Sequence, residues 1–571
     1  MVRHFILLIS LLTVALTALA VPARRDLRTI TQPDGSKIKV RLVGDETFHY
    51  WQSEDGNPLD LVDGFFKPLR ADSLNARMQA AKKRAFNRRL SISSPLTRGE
   101  GSIPGKCEGY DFPTVGKQKG LVILVDFADI RMTTENPGDY FNRQYNEPGF
   151  SDNGATGSAR DWFIDASSGQ FSPDFDVIGP VQLPNGYAYY GKNDIYGTDK
   201  RALEMIIHAC QAADDIVDFS EYDRDGNGQI DCVFVLYAGE GEASSSDADT
   251  VWPHSWQLSQ SGEPEKYVFD GKELEYYACS NEIFDGEPDT IGTFVHEFSH
   301  VMGLPDLYAT DSSRVFSPGE WSVMAYGTYN NYGRTPPTYS AFERAALGWL
   351  TPFEMDTPAD VTLPPIQENK AGIIRTPLEN EFFLVENRQQ TGWDSYLPHH
   401  GMLVWHIDYD SDIWTGNEVN NQRRHQRVDI VEADNSQSDY SIAGDPFPGT
   451  ANVTAFTPDT KPALRTWDNK PVDAPITDIA ESDDGIITFR LMGGNAGVDD
   501  ILVNPYASWA YADGVLTIRD IAPATTVSVF DITGRPLVRT TAGSDGSATM
   551  KINADGVAVV KAGASTFKII L

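Results

Sequence analysis

The sequence predicts a mixed α/β (α+β) body, preceded by an N-terminal signal and prosegment and followed by a β-rich extension and a small C-terminal β-sandwich. Three observations carry this. The 571 residues include 41% hydrophobic and 11% aromatic side chains, enough for several cores and too many for a disordered chain. From Lys119 onward, short apolar runs alternate with helical patterns, the texture of a sheet with helices packed on it. Beyond about Met355 only strand and turn patterns remain.

Residues 1–20 have the three parts of a signal peptide: Arg3 and His4, an apolar run from Phe5 to Leu19, and the small-residue site Ala18-Leu19-Ala20. Cleavage is expected after Ala20. The run is shorter than the roughly 20 residues that cross a bilayer, and no later run approaches that length. The product is therefore expected to be secreted or held at the cell surface, with no integral membrane segment. Residues 21–105 carry 15 Lys+Arg against 10 Asp+Glu. The whole chain carries −34, of which this leader contributes +5 and the signal +1, so the remainder carries −40. A basic leader ahead of an acidic body reads as a prosegment held by charge and removed at basic pairs such as Lys82-Lys83 and Arg88-Arg89; a solvated helix over Leu74 to Leu90 is the plainer account of the same residues. A body this acidic repels phosphates, so nucleic acid is excluded as a partner.

The body, 106–355, opens with Gly120-Leu-Val-Ile-Leu-Val-Asp-Phe127, a continuous apolar run expected as a central strand buried on both faces. A helix is expected over Lys200 to Asp215, a strand over Val233 to Ala238, and an amphipathic helix after Thr290. The extension, 356–495, holds the strand patterns Phe382–Glu386, Met402–Asp408, Val428–Val431 and Ile486–Arg490. Gly493-Gly-Asn-Ala-Gly497 reads as a linker to the unit 496–571. The four cysteines, Cys107, Cys210, Cys232 and Cys279, allow three full pairings that spacing cannot separate.

The chemistry concentrates in Val295-His-Glu-Phe-Ser-His-Val-Met-Gly-Leu-Pro-Asp-Leu-Tyr308. His296 and His300 are one helical turn apart, so both imidazoles can reach one zinc ion. Glu297 stands beside them, placed to act on water at the metal without ligating it. Gly303 is free to turn the chain at the helix end, and Asp306 then returns toward the metal as third ligand. Glu320, twenty residues after His300, is a rival third ligand of the thermolysin type. Glu320-Trp-Ser-Val-Met-Ala-Tyr-Gly327 has no helical period and could pass beneath the metal with Met324 as an apolar floor.

His-Glu-x-x-His-x-x-Gly-x-x-Asp followed by Ser-Val-Met-Ala-Tyr resembles the metzincin pattern of a long zinc motif plus Met-turn, with Asp306 where the common pattern has a third histidine. More narrowly, Gly303–Tyr308, Asp249-Thr-Val-Trp-Pro-His254, Thr335–Tyr339 with Leu347–Pro352, and Gly401–Tyr409 resemble the immune inhibitor A family of secreted zinc metallopeptidases over roughly residues 115 to 490. The resemblance implies a metzincin-like zinc endopeptidase acting on protein or peptide substrates, with Tyr326, two residues past the turn methionine, stabilising the oxyanion. A surface binding or adhesive protein on a catalytically idle fold is the alternative, against which Glu297 speaks.

Asp223, Asp225, Asn227, Gln229 and Asp231 occupy positions 1, 3, 5, 7 and 9 of an EF-hand-like loop with Gly228 at the sixth. Phe234 stands where the bidentate glutamate belongs, so a structural calcium ion would need another donor such as Asp218 or Glu221. His254 and His406, each near a tryptophan, read as packed rather than ligating. Cys107 could plug the zinc as a prosegment thiolate, although a structural thiol is the commoner role. Gly514–Ile518, Val527–Arg535 and Gly556–Lys561 alternate like a small antiparallel sandwich and resemble a type IX secretion C-terminal sorting domain, which implies the secretion machinery as a partner; Ala558 replaces that family's usual tyrosine.

Overall fold

The computed structural model describes residues 19–89, 101–494 and 509–570, except 108–109, 111, 195–196, 246, 262–264, 312–317, 439, 513, 520, 522, 532–534, 553–556 and 563–564. The expected signal peptide up to residue 18 and most of the glycine linker lie outside the described residues. The chain divides into two compact units, Met1–Asn495 and Ala496–Leu571. Among the described residues no helix is long and apolar enough to cross a membrane.

A mixed sheet organises the first unit. Four parallel strands, Tyr276–Phe284, Val233–Glu240, Gly116–Asp126 and Phe171–Gln182, lie side by side in that order. His254–Gln257 joins antiparallel to Tyr276–Phe284. The apolar run beginning at Gly120 explains the centre of this sheet. Alternate side chains go to opposite faces of a strand, and here both faces are covered: Val122 and Leu124 pack with helices Pro137–Asn146, Ala159–Ala166 and Ile291–Val301, while Leu121, Ile123 and Val125 pack with helix Ala202–Ala213. The helix after Thr290 departs from the expectation of an amphipathic one. Every residue from Ile291 to Val301 is buried, because the sheet covers one side and the chain from Gly319 to Gly333 covers the other.

The leader is more structured than its composition suggests. It forms a five-stranded antiparallel sheet (Arg28–Thr31, Lys37–Gly44, His49–Ser53, Pro58–Val62, Phe65–Pro68) followed by helix Ala71–Arg89. Residues 19–20 lie apart from that sheet and pair instead with His254–Gln257.

The β-rich extension is built onto the body. Its five-stranded sheet, centred on Glu381–Arg388 and Gly401–Asp408, turns Phe382, Leu384, Leu403 and Trp405 into the core shared with the body. Phe383, Val385, Met402 and Val404 face a second sheet, Ala359–Leu363, Ile487–Leu491 and Ile476–Glu481. A buried charge cluster fastens the junction. Arg388, fully buried, donates to Asp394 at 2.6 and 3.0 Å, to Glu386 at 3.4 Å, and to the carbonyls of Trp321 and Thr338. Glu386 in turn accepts from the Ala341 amide at 2.6 Å and the Trp405 indole at 2.9 Å.

The C-terminal unit has two antiparallel sheets, one of Trp509–Ala512, Val515–Ile518 and Ala548–Lys551 and one of Pro536–Thr541, Thr526–Asp531, Val557–Ala562 and Ser565–Ile570. They share a core of Leu516, Ile518, Val527, Val529, Met550, Ala558 and Val560.

Removing one member of a buried ion cluster strands the others, at a cost of about 3–5 kcal/mol. Arg388→Met is therefore expected to lower the stability of the first unit by that amount in urea unfolding; a loss below about 1 kcal/mol would show the cluster to be dispensable.

Candidate metal centre and active site

The metal motif begins where the Asp289 carboxylate accepts the Thr290 amide at 2.7 Å, just ahead of the helix. Gly292 lets the turn after the Met-turn approach: a Cβ there would stand 2.1 Å from the Thr328 carbonyl oxygen. His296 and His300 project from adjacent turns, ring centroids 4.7 Å apart and nearly perpendicular. Gly303 ends the helix at φ 95°, a region costly for any residue with a Cβ. The bend also orients an imidazole, since the His300 Nδ1 meets the Leu304 carbonyl at 2.7 Å. The His296 Nδ1 meets the Val323 carbonyl at 2.7 Å. With both Nδ1 protons held by carbonyls, each Nε2 presents a lone pair.

Asp306 closes the triangle. Its Oδ1 lies 3.2 Å from the His296 Nε2 and 3.3 Å from the His300 Nε2, and the two Nε2 atoms are 3.1 Å apart. A tetrahedral ion with donors at about 2.0 Å separates them by about 3.3 Å, so the set fits zinc. Asp306 Oδ1 and Glu297 Oε2 are buried and without a hydrogen-bond partner, two lone-pair donors that the protein interior leaves unanswered. Burial would raise the Asp306 pKa, but the neighbouring imidazoles hold it well below the usual carboxylate range. Burial pushes His300 down against the opposing charge of Asp306.

The chain from Ser322 supports this group from below. The Leu307 amide donates to the Met324 carbonyl at 2.8 Å, and Met324 is fully buried. Glu320, the rival third ligand, is outside the group: it is exposed, in the turn Gly319–Trp321, lining a groove beside the site. Asn417, from the extension, grips Asp306 twice. Its Nδ2 donates to Asp306 Oδ2 at 2.6 Å and its Oδ1 accepts the Asp306 amide at 2.8 Å. A partner 111 residues away leaves no local signal, and sequence reasoning missed it.

Glu297 is fully buried, and its pKa is raised well above normal by burial and then by the charge of Asp306. Its Oε1 accepts the Val21 amide at 2.9 Å. The Tyr308 hydroxyl donates to the Ala20 carbonyl, on the same peptide link. Leu19 and Ala20 run antiparallel to the edge strand His254–Gln257; the Trp252 indole donates to the Val21 carbonyl at 3.0 Å and the Tyr329 hydroxyl to the Pro22 carbonyl at 2.7 Å. His49 of the leader stacks on Trp252 at 4.9 Å and meets Glu242 at 3.2 Å. Tyr308 was visible in the motif but carried no assigned role. Tyr326 instead lies beneath the Arg25 guanidinium, 3.6 Å from its ring centroid.

The other sequence candidates divide. The carboxylates of Asp223, Asp225 and Asp231 come within 4.8 Å of one another. Burial pushes Asp231 up to about 7, with the charges of Asp225 and Asp223 adding. Asn227 spends its amide on the turn itself, accepting from the Gln229 amide at 2.7 Å and donating to Asp225 at 2.9 Å, and Gln229 begins a short strand. Lys272 holds Asp223 at 2.5 Å. Neither suggested completing donor turns to the loop: Asp218 caps the turn Phe219–Tyr222 and Glu221 pairs with Lys119 at 2.6 Å. His254 is packed between the Trp252 carbonyl and the Tyr277 hydroxyl, its pKa pushed down by burial to about 4. His406 is stacked between Phe383 and Trp467 and bonded to Glu381 at 2.7 Å. The four cysteines are buried, and none is in a disulfide. Cys107 donates to the Trp414 carbonyl at 3.4 Å and its amide to the Gly303 carbonyl, so its thiol is engaged away from the histidines.

Comparison with known proteins follows this geometry. Residues 110–350 match the family model described as immune inhibitor A peptidase M6, catalytic domain. Two curated relatives are similar to it: "Immune inhibitor A" of Bacillus thuringiensis subsp. alesti, 26% identical over 303 residues, covering 44% of this chain and 43% of that protein, and "Pre-pro-metalloprotease PrtV" of Vibrio cholerae serotype O1 (strain M66-2), 27% identical over 301 residues, covering 45% of this chain and 32% of that protein. The matches thus span less than half the length of these relatives.

Supporting groups behind metal ligands typically change affinity 10–100-fold when removed. Asn417→Ala is expected to weaken zinc binding by about tenfold or more in a chelator competition assay; unchanged affinity would mean that Asp306 is held by the Gly303 bend alone.

Proposed function

We propose that this protein is an exported zinc-dependent endopeptidase of metzincin type, made as a zymogen. The observation that carries the reading is the donor triangle of His296, His300 and Asp306 with Glu297 against a peptide amide one residue away. His296, His300 and Asp306 would hold the zinc; when bound it supplies Lewis acidity and a lowered pKa for water at the site. Glu297 acts at its carboxylate oxygens. It takes a proton from the attacking water and returns it to the leaving amine nitrogen, the atom whose place the Val21 nitrogen now fills. A cation alongside favours its ionised form, against the burial that raises its pKa. Tyr308 donates to the carbonyl oxygen of the same peptide, which suits it to stabilise the developing oxyanion. Tyr326, the other candidate for that role, carries the Arg25 guanidinium over its ring.

The leader, 21–105, is the latency element on this reading. Residues 20–23 are buried across the cleft, and any substrate following the edge strand must displace them. Signal cleavage after Ala20 would convert the Val21 amide into an amino terminus facing Glu297. The name of the Vibrio relative, a pre-pro-metalloprotease, agrees with such a layout. We assign the C-terminal unit to sorting through the secretion machinery, the product to the cell surface or the medium, and the Asp223–Asp231 loop to a structural calcium ion. A cation there would answer the buried Asp223 Oδ1, which has no hydrogen-bond partner.

Glu297→Gln should retain zinc and lose casein hydrolysis by about 10²–10⁴-fold, whereas a binding protein on an idle fold would show no hydrolysis to lose. Tyr308→Phe should lower kcat by about 10²–10³-fold and Tyr326→Phe by less; the reverse order would return the oxyanion role to Tyr326. Active material sequenced from its amino terminus should begin near residue 106 and lose activity to chelator. Millimolar Ca²⁺ should raise the Tm of the wild-type chain but not of Asp225→Ala; equal shifts would remove calcium from the loop.

A further inference from the structure

Beyond the zinc, the leader marks out how a substrate would lie. One peptide link, Ala20–Val21, gives its N–H to Glu297 and its C=O to the Tyr308 hydroxyl, while the residues before it run antiparallel along the edge strand. Val21 therefore stands where the residue on the amine side of a cleaved bond would stand, and Arg24 and Arg25 stand three and four residues beyond it.

Both arginines meet a wall belonging to the body. Arg24, 14% exposed, pairs with Asp285 and lies 4.7 Å from the Phe284 ring centroid and 5.7 Å from that of Tyr332. Its other carboxylate partner, Asp26, belongs to the leader itself. Arg25 lies 3.6 Å over the Tyr326 ring. Asp285 sits at the tip of the hairpin joining Tyr276–Phe284 to Glu287–Pro288, at φ 51°, and lines a groove of about 860 Å³ together with Glu320 and Tyr329. Aromatic faces that accept a flat cation, with a carboxylate at its end, match a guanidinium better than an ammonium. When the leader departs, this wall stays on the path of any chain that follows the edge strand, and the charge of −40 on residues 106–571 draws basic chains toward it.

We propose that Phe284, Asp285, Tyr326 and Tyr332 form a subsite for a basic side chain, arginine above lysine, three or four residues past the one on the amine side of the cleaved bond. This deepens the peptidase reading and rests on it for the word substrate.

Two measurements test it. In the first, the zinc-loaded, matured protein is given peptides differing only in Arg, Ala or Asp at the position of Arg24. The expected kcat/KM is at least about tenfold higher for Arg than for Asp, and Asp285→Lys, at a half-exposed position that should fold normally, inverts the order. Equal rates overturn the subsite while leaving the peptidase reading intact. The second needs no turnover. The full-length chain carrying Glu297→Gln, Arg24→Glu and Arg25→Glu is titrated with fluorescent Val-Pro-Ala-Arg-Arg-Asp-Leu-Arg and with its version bearing Glu at both central positions. The Arg peptide should bind at least about tenfold tighter, a preference lost in Asp285→Lys. Equal affinities overturn the subsite. An Arg preference in this titration, with a zinc-loaded, matured protein that keeps Glu297 and yet cleaves neither peptide nor casein, upholds the subsite and sinks the peptidase reading.

Discussion

Two carboxylates and two imidazoles are packed within a dry interior, and the remainder of the first unit is arranged around that fact. Asp306 and Glu297 are both essentially inaccessible to solvent, and each keeps one oxygen without a hydrogen bond. Buried charge of one sign is expensive unless it is paired or coordinates a metal. The interior around them is well satisfied elsewhere: both Nδ1 atoms, the second Asp306 oxygen and the Leu307 amide are all bonded. What is left over has the shape of a cation's coordination shell, and the supporting bonds fix it before any ion arrives.

The same logic explains the leader's position. A carboxylate as isolated as Glu297 takes whatever donor is nearest, and the nearest is the Val21 amide. The contact is not solitary: Trp252 and Tyr329 donate to the Val21 and Pro22 carbonyls and Tyr308 to that of Ala20 just ahead, so polar groups of the cleft are satisfied by an extended chain. Extended backbone offers its N–H and C=O groups at the spacing an edge strand requires. The five-stranded sheet of the leader follows this extended segment in the chain and takes no part in those bonds.

How much of this was legible in the sequence follows from the range of each interaction. The helical pair His296 and His300, the Gly303 bend and the return of Asp306 are local, spaced by helix geometry and one turn, and could be read off eleven residues. The central strands announced themselves as unbroken apolar runs. The helix Ile291–Val301 misled in detail because amphipathicity is judged against solvent, and here the segment past the Met-turn replaces solvent on the outer side. The leader's sheet was hidden by its short strands and mostly half-buried side chains, whose alternation is weak. Asn417, Asp285 and the role of Tyr308 were out of reach altogether, since each depends on a partner more than a hundred positions away.

Asn417 and Arg388 also bear on where the functional unit ends. The matched family model stops at residue 350, yet the group that holds Asp306 by two hydrogen bonds lies at 417, and the guanidinium that donates to the Trp321 carbonyl, just before the Met-turn, lies at 388. Both come from the β-rich extension, whose inner face supplies Phe382, Leu384, Leu403 and Trp405 to the same core as the metal helix. Asp306, inside the matched region, is thus held by a side chain from outside it. The extension therefore shapes the donor group from outside the matched region, and a substitution in it can shift Asp306 without touching any residue from His296 to Asp306.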